Sequence, residues 1–174
     1  MKNFLILLCI VYSMNVFANQ NPLPTAQNVD VGRYIGKWYA ITSLPQFFTL
    51  SCVAQTAEYG ILSETEISVQ NKCIKKNGKT SAIYGAGTIT DAPNNARLSI
   101  QFENFWLNLF KIKGEYVIIK LSDGYDSVMV GSTNRKSLWI LSRTPSIDPA
   151  TLNEYKSLAK DIGFPVDKLV DSKY

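Results

Sequence analysis

The segment Arg97-Leu98-Ser99-Ile100-Gln101-Phe102 carries the reading of the fold. Side chains of an extended chain alternate sides, so Leu98, Ile100 and Phe102 fall on one face and Arg97, Ser99 and Gln101 on the other. That is a strand with one face in a core and one in water. The turn cluster Asp91-Ala92-Pro93-Asn94-Asn95 precedes it. Segments of the same kind recur outward from it. Upstream are 38–41, 53–59, 66–73 and 80–90, and the second and third flank residues 60–65 as a hairpin. Downstream are 115–121, 125–130 and 138–142, which makes eight strands in all. No helical pattern separates them, and such spacing predicts an antiparallel barrel or sandwich.

The later strands are apolar on both faces, at 116–121, 128–130 and 138–141. A strand of that kind needs a cover on its outer side. The cover is supplied by one helix. Asp148 is placed to cap it, with Pro149 in its first position. Leu152, Tyr155, Leu158, Ala159 and Ile162 then recur at helical spacing, and Gly163 ends the run. The expected architecture is all-β: an eight-stranded antiparallel up-and-down barrel with one C-terminal amphipathic helix packed outside.

Several classes of function are excluded by composition. The chain has 174 residues, 18 Lys+Arg, 14 Asp+Glu and no histidine. A net charge of +4 is too mild for a nucleic-acid partner. Without histidine there is no Ser-His or Cys-His nucleophile pair, no imidazole metal ligand and no histidine base. Neither a cofactor nor a metal is expected.

The first residues read as an export signal. Lys2 is followed by the apolar run 4–12 and a small-residue end at Val16-Phe17-Ala18. The run is about half of the ~20 residues that a transmembrane helix needs. The expected division is a signal peptide at 1–18 and a single domain at 19–174. Leu8 precedes Cys9 where a lipid-attachment motif has a small residue, so no lipid anchor is expected. Removing the leader takes Lys2 and Cys9 with it, which lowers the charge to +3 and leaves Cys52 and Cys73. Exported chains keep disulfides, and these two face each other across the predicted hairpin. Two free thiols or a metal pair are the alternatives, but two cysteines without histidine are too few for zinc.

Two separated motifs add a family. Gly36-Lys37-Trp38-Tyr39 opens the first strand, and Leu138-Trp139-Ile140-Leu141-Ser142-Arg143-Thr144-Pro145 spans the last. Leu121-Ser122-Asp123-Gly124-Tyr125 lies between them. This pattern resembles the lipocalin family, and within it the bacterial outer-membrane members similar to apolipoprotein D, over about residues 31–169. The resemblance implies that Trp38 and Arg143 stack across a closed barrel end. Strand counting agrees, since the first strand starts and the last strand finishes at the same end. Gly36, Trp38, Tyr125 and Arg143 are therefore read as structural.

The same counting puts the loops 44–51, 74–79, 103–113 and 131–136 at the open mouth. Two of them are unusually apolar: Phe47 and Phe48 in one, Phe105 and Trp106 in the other. They either fold inward as lids or form an exposed apolar portal for an acyl chain or a membrane. Period-2 alternation points Val53, Ala57, Tyr59, Ile67, Val69, Leu98, Ile100, Phe102, Tyr116 and Ile118 into the barrel. Lys75, Lys76, Lys79, Lys111, Lys113, Arg135 and Lys136 fall at the mouth, where they either rest an anionic head group or keep the rim solvated.

A barrel of this size fills with side chains or holds one small ligand. The resemblance implies non-enzymatic binding or transport of a lipid amphiphile, a fatty acid or lysophospholipid, in the periplasm or outer membrane of a Gram-negative bacterium. Alternatives are a protein-interaction or homodimer role for the aromatic mouth and, more remotely, a barrel enzyme acting on a lipid. Asp123, Asp126 and Glu58 are acidic but fall at turns or on outward faces.

Overall fold

The computed structural model describes residues 21–103 and 113–174. The predicted leader at 1–18, and Phe105, Trp106 and Lys111, lie outside the described residues.

Eight strands form the barrel: β1 (Gly36–Ser43), β2 (Cys52–Ile61), β3 (Glu66–Lys75), β4 (Thr80–Ile89), β5 (Arg97–Phe102), β6 (Gly114–Leu121), β7 (Ser127–Gly131) and β8 (Leu138–Ser142). Each pairs antiparallel with the next. β1 pairs with both β2 and β8, so the sheet closes on itself. The up-and-down barrel expected from the strand spacing is the observed fold. A short helix α1 (Val31–Tyr34) precedes it, and a helix α2 (Pro149–Asp161) and a two-residue strand β9 (Val170–Asp171) follow.

Alternation along the strands separates two cores. The inner one gathers Trp38, Ala40, Ala57, Tyr59, Ile67, Val69, Leu98, Ile100, Ile118, Val128, Val130 and Leu141 inside the barrel. The outer one gathers Val117, Ile119, Met129, Leu138 and Ile140 with Tyr155, Ala159 and Phe164. The strands that are apolar on both faces are thus explained, because in each of them one face lines the inner core and the other the outer core. The second core is roofed by α2. Asp148 caps that helix by accepting from the backbone N–H of Thr151 at 2.9 Å. At its far end Gly163, at φ +92°, lets the Phe164 N–H reach back to the Ala159 carbonyl. That is the Schellman arrangement, with Phe164 packed beneath.

Some expectations are adjusted by the register. Ile61 pairs with Ile67 and Tyr59 with Val69, so the β2–β3 turn centres on residue 64, not on 62–63. Cys73 is therefore opposite Gln55, and Cys52 is opposite Lys75. The Cys52–Cys73 disulfide nevertheless forms, with Cα atoms 5.3 Å apart. It runs diagonally beside an irregularity between Cys52 and Ala54. That irregularity breaks the alternation at this end, and Val53 is not part of the inner core. β7 begins at Ser127 because Tyr125 takes φ +59° in the preceding turn.

Two segments were not anticipated. The strap before α1 crosses the barrel's closed end. Ala26 N–H donates to the Ile118 carbonyl and Val29 N–H to that of Asn94. At the other terminus, β9 pairs with β1, and Tyr174 donates to the Ala40 carbonyl at 3.1 Å. Neither shows the long alternation that marks a strand in sequence.

Candidate functional site

The barrel closes at the end where β1 begins and β8 finishes. Trp38 is fully buried there, and the Arg143 guanidinium lies 3.8 Å from its ring centroid. Gly36, beside it, sits at φ +94°, a conformation that an L side chain resists, and an added Cβ would meet Nη1 of Arg143 at 3.4 Å. Tyr125 completes the plug from the β6–β7 turn. Its hydroxyl accepts from Asp30 N–H at 2.9 Å, its carbonyl accepts from Arg143 Nε, and Arg33 stacks on its ring at 4.0 Å. All four residues read as structural meet at this end.

Above the plug the floor of the barrel is aromatic and polar. The backbone carbonyl of Tyr34, on α1, accepts from the Trp38 indole N–H at 2.9 Å, and the two ring centroids are 5.4 Å apart. Tyr34 stacks on Tyr59 with centroids 5.8 Å apart, and Tyr59 meets Tyr116 edge-on at 6.0 Å. The three hydroxyls form a chain: Tyr34 to Tyr116 at 2.5 Å and Tyr116 to Tyr59 at 3.0 Å. Burial raises the pKa of Tyr59 to about 12, and those of Tyr34 and Tyr116 well above 10. All three remain neutral donors at physiological pH.

The walls above are apolar. Ala57, Tyr59, Ile67, Val69, Leu98, Ile100 and Ile118 are buried in the inner core, with Phe102 and Tyr116 packed against it. Phe102 and Tyr116 stay partly accessible although they face inward. On the mouth side a second polar group lines the wall. The Trp139 indole N–H donates to Gln55 Oε1 at 3.4 Å, and Gln55 Nε2 donates to Ser43 Oγ at 3.3 Å.

At the rim, Phe47, Phe48 and Leu50 are 84 %, 55 % and 74 % exposed. This loop does not fold inward as a lid, and neither Phe47 nor Phe48 lines the interior. Lys76, Lys79, Lys113 and Lys136 are exposed at the same end. Arg135 departs from the expected basic rim. It is only 7 % exposed, and its guanidinium donates to the backbone carbonyls of Ile162, Thr133 and Asn21. It braces the end of α2, where carbonyls left over by the helix attract a cation. The acidic residues stay outside the barrel. Glu58 is exposed, and Asp126 lies in the β6–β7 turn, where the Ser122 hydroxyl bond holds its carboxyl below the usual range.

Sequence alternation found the walls but missed Tyr34 and the Ser43–Gln55–Trp139 group. For Tyr34 a signal existed, since it stands four residues before Trp38. For Gln55, being polar on an inward face, there was none.

A barrel closed by a Trp–Arg stack, with an apolar inner core and a helix outside, defines a class. Residues 29–173 match the model of the lipocalin-like domain, and the chain belongs to the lipocalin family. It is 30 % identical over 161 residues to the outer membrane lipoprotein Blc of Escherichia coli K12, covering 89 % of this chain and 88 % of that protein. It is 28 % identical over 152 residues to bovine apolipoprotein D, covering 84 % and 77 %. Among solved structures it resembles insecticyanin of the tobacco hornworm, with a TM-score of 0.66 at 15 % identity over 88 % of this chain and 85 % of that one. Lobster apocrustacyanin A1 superposes with a TM-score of 0.61 at 16 % identity over 90 % and 92 %. At such identities these two structures speak for the fold alone. Proteins of this family generally bind small hydrophobic ligands without catalysis.

Proposed function

We propose that this chain is a non-enzymatic carrier of a lipid amphiphile, a fatty acid or lysophospholipid, in the cell envelope. The supporting observation is the inner core, where an apolar wall runs from an aromatic floor to an exposed apolar rim, with Phe102 and Tyr116 only partly buried against it. Ala57, Tyr59, Ile67, Val69, Leu98, Ile100, Phe102, Tyr116 and Ile118 would line the ligand. Phe47 and Phe48 would guide it at the mouth, together with Phe105 and Trp106. The rim lysines suit an anionic head group. Burying ten methylenes supplies ~8 kcal/mol gross, before ordering costs.

Several features support a binding role over chemistry. The chain has no histidine, Cys52 and Cys73 are consumed in their disulfide, and Glu58 and Asp126 face away from the lumen. Export as a domain from residue 19 is supported by the leader pattern and by the disulfide, which persists in oxidising compartments. The Escherichia coli relative is an outer membrane lipoprotein by name.

The test is uptake of a fluorescent fatty acid by the purified exported protein, with displacement by lysophospholipid. Saturating lipid that gives neither signal nor thermal shift would overturn the reading. The exposed Phe47, Phe48 and Leu50 support a second role, contact of the mouth with a membrane surface or a second copy. Light scattering with and without lipid separates these.

A further inference from the structure

We infer that the barrel floor is a hydrogen-bond donor site, which takes an apolar ligand led by a neutral oxygen acceptor, a carbonyl or hydroxyl, held by the Tyr34–Tyr116–Tyr59 chain. This deepens the proposed carrier role and rests on it.

The argument is a count of protons. Each phenol carries one O–H, so the chain has three donors. It contains two hydrogen bonds, Tyr34 to Tyr116 and Tyr116 to Tyr59. Two protons are used in any arrangement of donors. If the chain runs one way, the proton left over is on Tyr59, and if the other, on Tyr34. If both ends donate to the centre, it is on Tyr116. No further acceptor meets these hydroxyls among the described residues. A buried donor without a partner is costly, and an incoming oxygen removes that cost.

The geometry is prepared for such a ligand. Tyr34 is 3 % and Tyr59 6 % exposed, and Tyr116, packed against the inner core, is only partly buried. The rings are fixed against one another and against Trp38, so little order remains to be lost on binding. The site favours a neutral acceptor over a carboxylate. The cation nearest the floor, Arg143, lies against Trp38 and already donates to four backbone carbonyls. An anion here would lose its hydration without an ion partner. A saturated acyl chain entering tail-first would leave the surplus donor unmade. A ligand bearing oxygen at its innermost end would not.

The experiment compares two ligands of equal length, a saturated alkane and the corresponding methyl ketone, on delipidated wild-type protein and on Y34F/Y59F/Y116F. Affinities are read by displacement of a fluorescent fatty acid. The ketone is expected to bind about ten-fold tighter than the alkane to the wild type, and about equally to the triple variant. Single variants are uninformative, since the two remaining hydroxyls still leave at least one surplus proton, and two in Y116F. Infrared spectroscopy of a carbonyl-labelled ketone gives a reading on the wild type alone, so it stands even if the triple variant fails to fold. The stretch is expected below its position in hexane. A carbonyl band at the hexane position, equal affinities in the wild type, or an undiminished ketone preference in a folded triple variant would each overturn the floor site while leaving the carrier role intact. Binding of neither ligand, nor of the fluorescent fatty acid, would remove the carrier reading and the floor site with it.

Discussion

The guanidinium carbon of Arg143 stands 3.8 Å from the centroid of the Trp38 ring, across the seam where β8 meets β1. Its nitrogens donate at the same time to the carbonyls of Tyr125, Lys37, Arg33 and Tyr34. One side chain thus ties the β6–β7 turn, α1 and the first strand to the last. Only a planar cation with a fork of donors can stack on a ring and reach these carbonyls together.

Replacing Arg143 with Met removes the stack and leaves those carbonyls without their donor. The expected loss is about 2–4 kcal/mol, read from the urea midpoint with an unchanged slope. Arg143→Lys is expected to recover little of it, because an ammonium cannot serve the same geometry. A Lys variant as stable as wild type would show that charge alone matters here.

The disulfide closes a segment of 21 residues. Chain-entropy estimates put its stabilisation at about 3 kcal/mol. The C52S/C73S double variant should fold to the same barrel with a lower unfolding midpoint. Adding a reductant should shift the wild type toward the variant and leave the variant unmoved. Equal midpoints for the two proteins would show that the closed β-barrel alone holds this hairpin.

Alkali should unfold the protein through its floor. Burial places the Tyr59 pKa at about 12 and those of Tyr34 and Tyr116 well above 10. In the unfolded chain a tyrosine titrates near 10. Above that pH the unfolded chain has released protons that the native state retains. The contribution to stability is therefore complete below about pH 10 and is lost as pH rises through 10–12, by up to ~1.4 kcal/mol per pH unit per phenol. Urea unfolding at about pH 9 and about pH 11 measures it. The slope of stability against pH should be shallower in Y34F/Y59F/Y116F, and identical slopes would contradict the assignment.

Phe47, Phe48 and Leu50 are exposed together at the mouth. Changing all three to Ser should leave stability within about 0.5 kcal/mol, since they support no core. Binding to vesicles that contain anionic lipid should fall several-fold if the rim meets a membrane beside Lys76, Lys79 and Lys136, while the decline of binding with salt, set by those lysines, should persist. Unchanged vesicle binding would assign these residues to guiding ligand or to a protein partner.

Much of the architecture was legible because it follows from local rules. Alternation at 97–102 gives a strand, apolar faces on both sides of 117–119 and 128–130 demand a roof, and Asp148-Pro149 with Gly163 delimits the roofing helix. The inward faces followed as well, and every inward residue predicted from Ala57 to Ile118 is in or against the inner core. Errors arose where periodicity is interrupted. At Cys52–Ala54 and in the β2–β3 turn, a displacement of one or two residues cannot be seen in a pattern of period two.

The sequence by itself determined the barrel, its outer helix and the pairing of Cys52 with Cys73, because strand period, helix caps and cysteine count act over neighbouring residues. Tertiary structure alone decided three things. It turned Phe47 and Phe48 outward, made Arg135 a brace instead of a rim charge, and brought Tyr34, Tyr59 and Tyr116 into one chain of hydroxyls. Each depends on residues far apart in sequence meeting in space. No local pattern encodes such a meeting, since it follows from how the sheet closes.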